Sequence, residues 1–216
     1  MVLSIPPASS TILVLAPHTD DGEFGCGGTI AKFIARGNRV VYAAFSAAEV
    51  SVPPEFPRDI LRHEVKKATG RLGIRPEDCR IHEFEVRRFP EQRQEILDAI
   101  LALSRELHPS LVFVPSQNDT HQDHQTISYE AFRAFKRTTM LGYEVPWNNL
   151  NFTTTCFVAL NIANVEAKLH ALEAYESQAG RSYASAEYIR ALATTRGMQI
   201  NRPFAEAFEV VRLVID

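Results

Sequence analysis

Within five residues, PHTDD (17–21), the chain places one imidazole and two adjacent carboxylates: His18, Asp20 and Asp21. That set suits a hard or borderline divalent cation, because one carboxylate can bind the ion while its neighbour stays free to move a proton. A second cluster, HQDH (121–124), sets His121 and His124 three positions apart with Asp123 between them. On a helical turn such positions share a face, and a carboxylate nearby can accept a ring N–H and so fix the tautomer. Each cluster alone has a plainer reading: Asp20 and Asp21 as helix caps with His18 in a turn, and H-x-x-H as ordinary surface histidines. Taken together, each directly after a strand-sized apolar run, they point to one metal-dependent site assembled across about 100 residues of chain.

The elements that must position these clusters alternate along the sequence. TILVLAP (11–17), RVVYAAFS (39–46), CRIHEFE (79–85) and SLVFVPS (110–116) read as buried strands. Between them, helical spacing runs over 26–37 (Ile30, Phe33, Ile34), 57–72 and 91–107. Gly37 and Gly73 stand where a helix C-terminus favours positive φ, and Pro76 follows the second. Near-continuous apolar strands separated by helices predict an α/β fold, a Rossmann-like three-layer sandwich with a mostly parallel central sheet, in one domain over 1–216. FTTTCFVALNI (152–162) and AFEVVRLVI (207–215), with two helical stretches between them, are expected to extend the sheet at an edge, with antiparallel pairing left open. In an open parallel sheet ligands bind beyond the carboxyl ends of the strands, where both clusters fall. The neighbouring glycines do not complete a dinucleotide loop, since Ile30 stands where a third glycine would follow Gly25 and Gly27.

Composition narrows the classes. A net charge of -3 supplies no basic field for nucleic acid. The apolar runs are far shorter than the roughly 20 residues of a membrane span. MVLSIPPASS lacks a positively charged segment ahead of an apolar one, so no secretory signal is expected. Three scattered cysteines, Cys26, Cys79 and Cys156, argue against a disulfide framework and for the cytoplasm.

PHTDD and HQDH, as a pair, resemble the A-H-P-D-D-type and H-x-D-H motifs of the LmbE/PIG-L family of zinc-dependent N-acetylglucosaminyl deacetylases, and the RHEVKKATGRLGI helix (62–74) is also similar. The resemblance implies that His18, Asp21 and His124 bind zinc and that Asp20 is the general base. It implies that His121 stabilises the oxyanion or protonates the leaving amine, and that Asp123 orients a histidine. Fe(II), Co(II) and Ni(II) suit the same donors. The implied partner is a small N-acylated sugar whose acetyl group is removed by metal-activated water; a homo-oligomer stays open. Thr19 replaces the family's usual proline, and Gly22 stands where glutamate is common, with Glu23 one place later. Leu61 holds the place, relative to Glu64, of an arginine many members carry, and Arg62 lies one residue closer.

Candidate substrate contacts are Arg62 and the loop residues Tyr143, Trp147 and Asn148 of GYEVPWNN (142–149), which could equally anchor that loop. AYESQAGRSY (174–183) and NRPFAEAF (201–208) either close the site or serve structure. Arg87, Arg88 and Arg93 could meet a substrate phosphate or form surface ion pairs. Other functions compatible with the sequence are hydrolysis of another small N-acyl amine or an N-formyl sugar, and metal or carbohydrate binding without turnover.

Overall fold

Strand β1 (Thr11–Ala16) is buried on both faces, and its side chains divide between two hydrophobic cores with the period of two that a strand imposes. Ile12, Val14 and Ala16 enter one core; Leu13 and Leu15 enter the other. In chain order there follow α1 (Asp21–Ala35), β2 (Arg39–Ala44), α2 (Ile60–Leu72), β3 (Cys79–Ile81), α3 (Arg93–Leu107) and β4 (Leu111–Pro115). The remainder comprises α4 (Gln122–Ala134), β5 (Thr139–Tyr143), β6 (Cys156–Leu160), α5 (Ile162–Leu172), α6 (Ala186–Met198) and β7 (Phe204–Arg212). This computed structural model describes residue 6 and residues 9–215, so most of MVLSIPPASS lies outside the described residues.

The strands form one sheet in the order β3-β2-β1-β4-β5-β7-β6. β1 to β5 are parallel; β7 runs antiparallel to both β5 and β6. Phe33 of α1, Val65 of α2, Val165 of α5 and Ile189 of α6 share the first core. Ile96 and Ile100 of α3 pack with Ile127 and Ala131 of α4 in the second. The expected three-layer α/β sandwich is therefore present, with α1, α2, α5 and α6 on one face of the sheet and α3 and α4 on the other. From β1 the chain crosses to β2 on one side, and the later strands build outward from β4 on the other side. The switch lies between β1 and β4, where such sheets open a crevice at the carboxyl ends.

Two expectations need correction and a third is met. β5 was not anticipated: its TMLGY sequence is short and carries Gly142, so residues 142 and 143 belong to a strand rather than a loop. Both late strands extend the sheet at one edge as expected, with antiparallel pairing, β7 lying between β5 and the outermost β6. The first helix begins at Asp21, not at Cys26, where instead it bends (φ -146).

The glycine beside the bend permits close packing. A Cβ on Gly25 would lie 2.3 Å from the Tyr143 ring, so glycine lets the helix settle against β5. At the break, Glu206 of β7 accepts the N–H groups of Gly28 (3.1 Å) and Thr29 (2.7 Å). Lys168 of α5 donates to the Phe24 carbonyl (2.6 Å) and to Glu206 (2.7 Å). The peptide groups orphaned by the break are thus satisfied by a buried ion pair from the last third of the chain.

Candidate metal centre and catalytic cleft

The β1–α1 and β4–α4 connections leave adjacent parallel strands at the same end, with Ile12 opposite Leu111 and Val14 opposite Phe113. This register brings His18 and Asp21 against His124. Three donor atoms converge there: His18 Nδ1 lies 3.1 Å from Asp21 Oδ2, His124 Nε2 lies 3.3 Å from the same oxygen, and the two nitrogens are 3.4 Å apart. Metal–ligand bonds of about 2.0–2.1 Å in a tetrahedral site separate donors by roughly 3.3 Å, so this triangle matches one face of such a site. His121 joins the group: one ring nitrogen from each of His18, His121 and His124 lies within 4.8 Å of the others.

The outward ring nitrogens decide which lone pairs face inward. His18 Nε2 is 3.0 Å from Asp123 Oδ2, and His124 Nδ1 is 2.8 Å from Asp119 Oδ2. When each ring is neutral, as metal binding requires, a ring N–H donated to each carboxylate leaves His18 Nδ1 and His124 Nε2 as acceptors toward the centre. Both orienting carboxylates are buried and held by backbone: Asp123 accepts from Arg87 N (2.6 Å) and Phe89 N (3.4 Å), Asp119 from His121 N (2.8 Å). Asp123 thus orients His18 across the crevice rather than a histidine of its own cluster. Asp119 escaped the sequence reading, although an aspartate five residues before a candidate ligand, on the same post-strand loop, was the available signal.

The charges follow this geometry. Burial resists ionisation of His18 and His124, yet the surrounding carboxylates outweigh it, raising His18 to about 9 and His124 to about 10. Burial also works against Asp21, but His124 and His18 hold it well below the usual carboxylate range. Asp20 moves the other way: burial, then the neighbouring Asp21 charge, push it up to about 6. Asp20 occupies the N-cap position of α1 without a side-chain capping bond, so its carboxylate is not consumed by the helix. His121 caps α4 instead, its Nδ1 accepting the Asp123 N–H (3.1 Å). Burial, reinforced by His124 and His18, lowers His121 below 6.5. With Nδ1 accepting, the N–H of the neutral ring sits on Nε2.

Behind the site, Tyr42 and Tyr175 both contact the Thr19 carbonyl (2.9 and 2.7 Å) and both meet the fully buried carboxyl of Glu23. This brace holds the peptide between His18 and Asp20. Glu23, displaced by one place from the family pattern, therefore acts from beneath the turn.

A cleft of about 270 Å³ opens over the triad, lined by Asp20, His121, Trp147 and Asn148 among others. The 142–149 segment reaches it because Thr120 N and Oγ1 both donate to the Asn148 carbonyl (2.9 Å each). Trp147 stacks on Tyr183 (centroids 3.9 Å, 11° between planes) with Phe24 edge-on at 5.3 Å. Two expected contacts lie elsewhere. Tyr143 is fully buried and donates to the Leu15 carbonyl (3.0 Å), and Arg62 pairs with Glu49 (2.5 Å) and Glu83 (3.4 Å) beside a separate depression. Arg88 and Arg93 are likewise committed, to Glu91 and Glu130. Arg181, Gln178 and Tyr183, from the segment read as either closing the site or structural, do line the cleft.

Comparison with known proteins finds relatives of this chain. The profile of the PIG-L family, described as GlcNAc-PI de-N-acetylase, matches residues 13–135. The "Uncharacterized deacetylase YaiS" of Escherichia coli (strain K12) is 27% identical over 174 residues, covering 77% of this chain and 90% of that protein. The diacetylchitobiose deacetylase of Thermococcus kodakarensis is 24% identical over 93% of this chain and 82% of its own. Among solved structures, the conserved protein TT1542 from Thermus thermophilus superposes with a TM-score of 0.78 at 28% identity, covering 95% of this chain and 96% of that one.

Proposed function

Because the chain belongs to the PIG-L family, we propose that it is a metal-dependent amide hydrolase that removes the N-acetyl group from an amino sugar or sugar conjugate. The observation that carries this reading is the triangle of inward-facing donors on His18, Asp21 and His124, with separations of 3.1, 3.3 and 3.4 Å. Two imidazoles and one carboxylate suit zinc and leave a position open for substrate or water. When bound, the ion supplies Lewis-acid polarisation and lowers the pKa of water toward neutrality.

The chain's own groups supply the rest. Hydrolysis joins the oxygen of water to the acyl carbon and breaks the C–N bond, giving acetate and a free amine. Asp20, uncapped, facing the cleft and poised near neutrality, takes the proton from the attacking water and can return it to the departing nitrogen. His121, with Nδ1 occupied by a backbone N–H, presents a neutral Nε2–H donor to the developing oxyanion. Asp119 and Asp123 keep the two ligand rings in the tautomers that binding needs. Trp147 offers a flat apolar face to a sugar ring, and Asn148 lies beside it at the cleft.

The test is acetate release from N-acetylglucosamine and N,N'-diacetylchitobiose by purified protein before and after chelation. Release that stops with chelator and returns on adding zinc is expected. Full turnover by metal-free protein overturns the reading, and zinc binding without turnover of any N-acyl amine favours a binding module.

A further inference from the structure

Two arginines, Arg87 and Arg181, line the cleft from separate parts of the chain. Among the described residues neither has a carboxylate ion-pair partner, whereas Arg62, Arg93 and Arg196 are each neutralised by a glutamate. Their own contacts are neutral. Arg87 Nη2 reaches Ser51 Oγ at 3.4 Å. Arg181 Nε donates to Gln178 Oε1 (3.0 Å), with its guanidinium 5.9 Å from the Tyr183 ring centre.

Arg87 carries a second peculiarity: its backbone is left-handed, with φ +68. That conformation aims its N–H at Asp123, the carboxylate that orients His18. Glycine would adopt it without strain, so the arginine side chain is an addition beyond what the turn requires. Its effect is a positive charge at the mouth of the site. Guanidinium groups with open N–H donors bind phosphate or carboxylate oxygens in paired hydrogen bonds. The stacked Trp147 and Tyr183 give the same cleft an aromatic wall suited to the apolar face of a pyranose.

We propose that the cleft takes an anionic N-acyl amino sugar, with Arg87 and Arg181 binding its phosphate or carboxylate substituent while the ring packs on Trp147. The proposal rests on the deacetylase reading and specifies its substrate class. The zinc-loaded protein is assayed on N-acetylglucosamine 1-phosphate, N-acetylmuramic acid and neutral N,N'-diacetylchitobiose. At least one anionic substrate is expected to exceed the neutral one in kcat/KM by about tenfold, and Arg87→Gln or Arg181→Gln to erase most of that preference through KM. Advantage for the sugar phosphate alone identifies phosphate as the recognised group; advantage for the muramic acid identifies carboxylate. Arg88→Gln, outside the cleft, is the control that should leave the preference intact. Equal or better use of the neutral substrate, or a preference untouched by both substitutions, overturns the proposal.

A separate readout distinguishes its failure from failure of the hydrolase reading. Trp147 is the sole tryptophan, so its fluorescence reports occupancy of the wall directly. With no acetate released from any substrate, saturable quenching by N-acetylglucosamine 1-phosphate that weakens about tenfold in both variants still supports the anion site. Absence of such quenching sinks it.

Discussion

Replacing Asp119 by asparagine changes one atom in a carboxylate that is 1% exposed and never faces the cleft, yet it should loosen the metal. Asp119 Oδ2 accepts from His124 Nδ1 and Oδ1 accepts from the His121 N–H, each at 2.8 Å. A carboxylate accepts both; an amide has one acceptor and one donor. If the amide oxygen stays with His121, its NH2 faces His124 Nδ1 and forces the other tautomer. The proton then sits on Nε2, 3.3 Å from Asp21, on the lone pair that must bind the ion. If the amide turns over, NH2 confronts the buried His121 N–H and that bond is lost. Either arrangement costs about 1–3 kcal/mol, which matches a weakening of metal affinity by roughly 10–100-fold. Competition against a chromogenic chelator measures the dissociation constant. Saturating metal should restore kcat to within a few-fold, since no reacting group is altered. A constant within twofold of the parent protein would show that the tautomer argument is wrong.

Other perturbations separate the remaining roles. Asp20→Asn should lower kcat by about 10²–10⁴-fold while metal stoichiometry by elemental analysis stays unchanged; loss of metal in this variant would make Asp20 a ligand instead of a base. In metal-free protein His18 and His124 hold protons up to about 9 and about 10, so an incoming ion must displace them. Affinity should therefore rise with pH between 6 and 8, by about tenfold per unit for each proton released, and calorimetry in buffers of different ionisation enthalpy should show that release. A dissociation constant flat across this range contradicts the assignment. Lys168→Met strands the buried Glu206 carboxylate, kept only by two backbone N–H groups, and should destabilise by about 3 kcal/mol, a fall in Tm of roughly 6–12 °C. Adding Glu206→Gln should recover part of the loss; no recovery would mean that the charge was not the cause.

The proposed ligands could be picked out from sequence because their chemistry is local: imidazole and carboxylate at fixed spacing, directly after apolar runs whose strand character is unambiguous. Trp147 and Asn148 were readable as loop residues, and the structure brings both to the cleft. Tyr143 was misplaced because a five-residue strand containing Gly142 gives too weak a periodic signal, so a core side chain looked like a loop one. Arg62 was misplaced for another reason. Its destination depends on Glu49 and Glu83, partners whose distance along the chain carries no information about distance in space. Asp119 and Arg181 needed the three-dimensional path of two connections before either acquired a neighbour to act on.

The break in α1 reaches further than its own geometry. The half-helix carrying Asp21 is pinned by two residues from the chain's closing third, Lys168 and Glu206, although the family's matching span stops at residue 135. A fragment trimmed to that span would keep every proposed ligand and still lose the brace on the half-helix carrying one of them, so α5 and β7 function as a distant buttress for chemistry encoded near the beginning.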